Sequence, residues 1–226
     1  MQKAWRIFKK VFFWLFILQF IYIVFCKWIN PPITLTQTVS LLQGYGLHRD
    51  YISLDEMSPN IKLAVMASED QLFPEHNGFD IKAIKKAMNY NKKHVTKVRG
   101  ASTISQQVAK NVFLWQGRSM FRKGMEVYFT FMIEKVWSKK RILEMYLNVA
   151  EMGKGIFGVQ AAAKAYFNKE AKNLTRSEAA MIAAALPNPK LYTIKPLSAY
   201  VANRYIDILR QMNNLDGDED IEALIK

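Results

Sequence analysis

The sequence predicts an all-α fold class: a helical domain behind one N-terminal transmembrane helix. Three observations predict it. An apolar run from Val11 to Cys26 carries no charge and one polar residue, Gln19. Helix-opening residues then recur along the chain, each ahead of apolar residues at helical spacing. Strand signals are few, and only Ile33 to Val39 alternates.

The apolar run, extended by Trp28 and Ile29, approaches the roughly 20 residues needed to cross a bilayer. Trp5, Trp14 and Trp28 are placed to sit near the two interfaces. Lys3, Arg6, Lys9 and Lys10 precede the run, and the flank after it is nearly neutral. The positive-inside rule puts the N-terminus in the cytoplasm and residue 31 onward outside it. A cleaved signal peptide is the competing reading. The following KWINPPITL lacks a small-x-small cleavage pattern, which favours a retained anchor. The expected organisation is a cytoplasmic basic tail at 1–10, a signal-anchor at 11–30, a stalk at 31–50 opened by Pro31 and Pro32, and a folded domain over 51–226.

Each later element has its own signal. Ser58 and Pro59 read as an N-cap and first helical residue. Asp80 caps IKAIKKAMNYN, and the basic stretch from Lys92 to Arg99, followed by Gly100, reads as a mobile loop. Thr103 with Gln106 fits a capping box. Ser119 opens a helix to about Trp137, with Met125, Phe129, Met132 and Val136 as its expected buried stripe. Ser138 caps KKRILEMYLNVAE. Thr175 and Glu178 form another capping box, and Pro187 and Pro189 stop that helix. Ser198 opens the last substantial helix, through about Met212.

The net charge is +13, and only five of the cations lie in the first 30 residues, which hold no acidic group. The excess therefore belongs mostly to the folded part. It implies a phosphate-bearing partner: anionic lipid, a lipid pyrophosphate or nucleic acid. The single cysteine, Cys26, excludes an intramolecular disulfide and a cysteine-based metal site.

Three segments concentrate polar chemistry. One runs from Glu69-Asp70-Gln71 through His76-Asn77-Gly78 to Asp80. The second runs from Gly100-Ala101-Ser102-Thr103 through Gln106-Gln107 to Lys110. The third runs from Arg122-Lys123-Gly124-Met125-Glu126 through Glu144, Tyr146 and Asn148 to Gly155 and Gly158. In this order they resemble the peptidoglycan glycosyltransferases, the family of monofunctional biosynthetic transglycosylases and of the front domain of class A penicillin-binding proteins. The resemblance covers roughly Tyr51 to Pro196 and implies a two-lobed, lysozyme-like helical fold. It implies lipid II and the growing lipid-linked glycan as substrates, a β-1,4 glycan as product, and an inverting transfer. No Ser-x-x-Lys occurs in the chain, so the monofunctional type is the nearer match.

The resemblance makes Glu69 the catalytic base that deprotonates the acceptor's 4-hydroxyl. The expected helix end near Glu69 would help, since the negative end of the dipole favours a protonated carboxyl. Glu126 matches the family's second carboxylate, assisting departure of the donor pyrophosphate, holding a divalent cation or tuning the site. A plain helix ion pair with Arg122 is its bland alternative. Lys110, Arg118, Arg122 and Lys123 form a cluster suited to a pyrophosphate. Ser102, Thr103, Gln106 and Gln107 resemble the family's polar substrate-contacting turn, and capping explains Ser102 and Thr103 equally. Asp70 and His76 are read as supporting residues, Asp70 orienting a neighbour and His76 binding a backbone group. Glu144, Tyr146 and Asn148 serve either the site or packing. Gly155 and Gly158 permit a tight turn between helices.

No residue spacing indicates a closed metal cage, and Mg²⁺ held loosely by Glu126 and pyrophosphate oxygens is the expected cofactor if there is one. The expected setting is the bacterial inner membrane, single-pass, with the domain on the periplasmic side. Phe113 to Arg122 would face the bilayer. Other wall-synthesis or division proteins are candidate partners, and nucleic acid is excluded by the topology. Two rival functions remain open: a lytic transglycosylase or lysozyme-like hydrolase, which needs no pyrophosphate site, and a non-catalytic assembly module, which needs no Glu69.

Overall fold

The computed structural model describes residues 2–94, 100–117 and 119–226. The apolar run lies within helix α1, Gln2–Phe25, the one described helix long and apolar enough to cross a membrane. At about 1.5 Å per residue its 24 residues reach roughly 36 Å. Its side chains are exposed along most of the length, as an anchor in lipid requires, and Ile23 alone is buried.

Helix α2, Leu35–Leu42, lies within the expected stalk at 31–50 and overlaps the alternating segment Ile33 to Val39. A capping box between Thr34 and Gln37 selects helix over strand here. The burial is inverted: Thr36, Gln37 and Ser40 face inward while Leu35, Leu41 and Leu42 are exposed. Gln37 donates to Tyr51 Oη at 3.0 Å and accepts from Arg49 at 3.0 Å, so this segment is built into the domain.

The other helices are α3 (Pro59–Glu69), α4 (Ile81–Lys93), α5 (Ile104–Phe113), α6 (Met120–Val136), α7 (Lys139–Val149), α8 (Val159–Phe167), α9 (Arg176–Ala185), α10 (Ala199–Leu215) and α11 (Glu219–Ile225). The caps at Ser58, Asp80, Thr103, Ser119, Ser138, Thr175 and Ser198 all form as read. Helix α4 continues through Lys92 and Lys93, where a loop was expected, and residues 95–99 of that stretch lie outside the described residues. Helix α11 had no strong signal; it is seven residues long and is held by Lys62, whose buried ammonium donates to Ile225 O at 3.0 Å.

The helices group in two lobes that share one hydrophobic core. In one, α9, α10 and α11 surround α3, which is buried from Ile61 to Ala67. The alanines of α9 let its backbone approach α3 closely. In the other, α5 packs on α2, α6 and α7, and α6 in turn carries α1. A small sheet joins β1 (His48–Arg49), β3 (Ile156–Phe157) and β2 (Glu151–Gly153) in that order; β1 is parallel to β3, and β2 is antiparallel with a bulge.

Gly155 and Gly158 both lie in the tight connection between α7 and α8, Gly155 in the hairpin of β2 and β3 and Gly158 at the N-cap of α8. Gly155 has φ +73°, and a Cβ there would lie 2.0 Å from the carbonyl oxygen of Tyr45. Backbone strain and overlap then act together, so Gly155→Ala is expected to cost about 3 kcal/mol. A lowered denaturation midpoint with unchanged denaturant slope checks it; full stability in this variant would contradict the tight β1–β3 junction.

Helix α6 departs from its predicted stripe. Arg122, Glu126, Phe129, Thr130 and Ile133 are its buried residues, whereas Met125, Met132 and Val136 are partly buried. The helix has two occupied faces, one turning charge inward and the other carrying the anchor. Gln19 of α1 donates to Tyr128 Oη at 2.6 Å. Trp137 Nε1 donates to Ile23 O at 2.8 Å, and Arg141 donates twice to Cys26 O at 3.1 and 2.9 Å. The last carbonyls of the anchor helix are thus capped by the domain.

Candidate active site

Glu69 is the last residue of α3, because Asp70 adopts an extended conformation and ends the helix. The side chain enters a cavity of about 340 Å³ between the lobes, lined also by Ser102, Thr103, Asp80, Arg204 and Gln211. Gln107 Nε2 donates to Glu69 Oε2 at 2.7 Å, and the hydroxyl of the fully buried Tyr146 donates to Gln107 Oε1 at 3.3 Å. Burial pushes the Glu69 carboxyl above its ordinary pKa; the Gln107 bond, Arg204 and Lys110 pull it back, and Asp70 adds to the rise. The cause differs from the helix end expected from the sequence: desolvation is the largest influence.

Asp70 and His76 hold this carboxylate's surroundings. Asp70 Oδ2 accepts the backbone N–H of Ile104 at 3.0 Å, at the start of α5, and Asp70 Oδ1 lies 2.9 Å from His76 Nε2. Gly78 N–H donates to His76 Nδ1 at 3.1 Å, which assigns the His76 proton to Nε2, facing Asp70. Thr103 Oγ1 donates to Gly78 O at 2.7 Å. The Glu69 turn and the α5 N-terminus are therefore tied at several points.

The α5 residues divide between capping and cleft. Thr103 and Gln106 close the capping box, so both are occupied structurally. Ser102 is exposed and lines both the Glu69 cavity and a neighbouring one of about 230 Å³ that reaches Gln106 and Lys123. Gln107 and Lys110 line a third cavity, about 260 Å³, which extends to Glu151 and Lys190.

Lys110 connects the two carboxylates. Burial lowers its pKa, while Glu126 and then Glu69 raise it and Arg122 and Lys123 oppose them. Glu126 is buried at 3% exposure, with Oε2 2.8 Å from Arg122 Nη1 and Oε1 2.5 Å from Lys123 Nζ. Glu126 thus makes the ion pair with Arg122 that its helix spacing allows and a second with Lys123. Arg122 and Lys123 share this one carboxylate, which leaves a net positive charge on the group. Arg118 lies outside the described residues.

The third motif resolves mostly to support. Asn148 exchanges two hydrogen bonds with the backbone of Ile52, at 2.8 and 3.0 Å, and Glu144 accepts from Leu54 N–H while pairing with Arg141. These bonds fix the segment that leads into α3. Tyr146 alone of the three reaches the Glu69 network. Two contributors escaped the sequence reading: Arg204 and Gln211 lie on a helix far from every motif. Their spacing on one face of α10 was the available signal, and a polar face on a terminal helix ordinarily reads as solvated.

A helical domain behind an apolar helix, with a desolvated glutamate and a cationic cluster in one cleft, fits an enzyme of glycosyl transfer. The model of the Transglycosylase family matches residues 36–213. Two relatives named biosynthetic peptidoglycan transglycosylase, from Shigella boydii serotype 4 and Escherichia coli K12, are each 57% identical over 174 residues, covering 77% of this chain and 72% of theirs. The chain belongs to the peptidoglycan transglycosylase family. The match begins inside α2, in agreement with that helix being part of the domain.

Proposed function

We propose that this enzyme polymerises lipid II, with Glu69 as general base and the Lys110–Arg122–Lys123 cluster receiving the donor's pyrophosphate. The observation that carries the proposal is the cavity that Lys110 lines together with Gln107, whose amide binds Glu69 at 2.7 Å. The acceptor's 4-hydroxyl oxygen attacks C1 of the donor's terminal sugar, and its proton passes to Glu69. The C1–O bond to the pyrophosphate breaks, and the electron pair leaves with the phosphate, where the cations stabilise it. One displacement inverts the donor's configuration and gives a β-1,4 link. Glu126, with Arg122 and Lys123 on its two oxygens, positions these cations.

The Glu126 site does not fit a protein-held Mg²⁺. Both carboxylate oxygens already face cations, and no group of three or more His, Cys, Asp or Glu gathers among the described residues. At roughly 36 Å, α1 exceeds about 30 Å of hydrocarbon by only about one turn. The domain touches α1 from Gln19 onward, so the exposed Met120, Phe121 and Phe131 of α6 would enter the outer leaflet. In this reading the cleft opens beside the membrane-bound tail of the substrate, with the domain on the periplasmic face. Wall-synthesis or division proteins are proposed as its neighbours there.

Full-length protein incubated in detergent with lipid II should release undecaprenyl pyrophosphate and form polymer. The rate should fall with pH along an acid limb set by Glu69. The limb lies above the ordinary carboxylate range, because the base must be ionised and its folded pKa is raised. Cleavage of isolated wall without polymer would support the hydrolase instead, and neither outcome would leave an assembly role.

A further inference from the structure

Helix α10 crosses one wall of the Glu69 cavity and places Arg204 and Gln211 there, two turns apart on one face. Neither is satisfied among the described residues. Arg204 has no hydrogen bond or ion pair to any described residue, whereas Arg210 on the same helix pairs with Asp207. Gln211 Oε1 is buried and accepts no hydrogen bond among the described residues. A buried amide oxygen left without a donor is uncommon, and a ligand hydroxyl would satisfy it.

Among the described residues, the cavity wall carries Glu69, Asp70 and Asp80 against the one cation of Arg204. That balance suits a neutral polyol, not a phosphate. In the reaction proposed above, the attacking 4-hydroxyl faces Glu69. On a glucosamine ring it is flanked by the 3-hydroxyl and the 6-hydroxyl. A guanidinium offers forked donors to neighbouring oxygens, and an amide oxygen accepts one O–H. We propose that Arg204 and Gln211 grip the acceptor sugar by the hydroxyls beside its attacking oxygen. This rests on Glu69 being the base.

Arg204 has a second consequence. Its charge is one of the influences holding the Glu69 pKa down, with Lys110 from α5 and the Gln107 bond; Asp70 pushes it up. The phenols of Tyr146 and Tyr200 also face Glu69, and Asp80 shares the cavity. Removing the guanidinium charge raises the Glu69 pKa further and moves the acid limb of kcat/KM to higher pH. Lysine at 204 retains the charge and leaves the limb in place.

The test separates donor from acceptor by pairing normal lipid II as acceptor with a donor whose own 4-hydroxyl is blocked. Arg204→Gln, Arg204→Lys and Gln211→Leu are compared with wild type, with the exposed Arg210→Gln as control and Glu69→Gln as reference. Thermal melts confirm folding. The acceptor KM should rise about tenfold in Arg204→Gln and Gln211→Leu, with the donor KM unchanged. Arg204→Gln alone should move the acid limb upward. Acceptors deoxygenated at C3 or at C6 should each bind wild type weakly, and one of the two should lose nothing further in Gln211→Leu. An unchanged acceptor KM, or equal losses for donor and acceptor, overturns the grip while an inactive Glu69→Gln keeps the base assignment standing. An active Glu69→Gln overturns the base assignment itself.

Discussion

Glu69→Gln lowers the rate of polymer formation by about a thousandfold, the loss expected when a general base is removed. The variant should remain folded and should melt no lower than wild type at neutral pH. The sign follows from burial. Because the folded pKa of Glu69 is raised, the native state binds the extra proton over the window above the ordinary carboxylate pKa, and stability declines as pH rises through it. Above that window the ionised carboxylate costs stability, and a neutral amide removes the cost. Gln107 can still donate to the new side chain, as it does to Glu69 at 2.7 Å. Polymerisation assays and melts on the same preparation check both halves. Near-normal polymer from this variant refutes the assignment.

Lys110→Met is the second large effect. Burial is the main influence on this lysine and lowers its pKa, so its charge is held at a cost to the fold. Methionine fills a similar volume without that charge, and Glu126 retains Arg122 and Lys123 as partners. Stability should hold or rise while turnover falls by about 10²- to 10³-fold, the scale seen when one charge-stabilising donor is removed. A residue whose removal improves the melt and destroys the rate is retained for chemistry. A variant that loses both together would show that Lys110 is mainly structural.

Much of the helical frame was legible because its signals are local. Ser58 with Pro59, the Thr103–Gln106 box and the Thr175–Glu178 box each declare a helix start within four residues, and all three form. Long-range effects were harder to see. The α2 segment alternates weakly as a strand would, yet the Thr34–Gln37 box decides its conformation and its polar side faces in, toward Tyr51 and Arg49. On α6 the apolar stripe was a reasonable expectation for a helix with one buried face. The helix instead serves the cleft and the anchor at once, so Arg122 and Glu126 are buried on one side and Tyr128 meets Gln19 on the other.

The same division holds at the site. Glu69, Gln107, Lys110 and Glu126 sit in motifs whose resemblance to a family could be read directly. Asp70 and His76 were read as supporting residues, and the bonds from Asp70 to Ile104 and from His76 to Gly78 fit that reading. Arg204 and Gln211 reach Glu69 only because α10 folds back across α3 and α9, which no local pattern announces. Glu144 and Asn148, by contrast, lie within a motif and hold backbone. Position in a motif therefore did not separate chemistry from scaffolding; the partners of each side chain do.

The most direct test is the position of bound substrate. A structure of the full-length enzyme in a lipid nanodisc, with a non-transferable lipid II analogue in each subsite, should place the acceptor's 4-hydroxyl within about 3 Å of a Glu69 oxygen. The donor pyrophosphate should lie against Lys110, Arg122 and Lys123. A pyrophosphate seated instead beside Lys190, with the 4-hydroxyl remote from Glu69, would contradict the account.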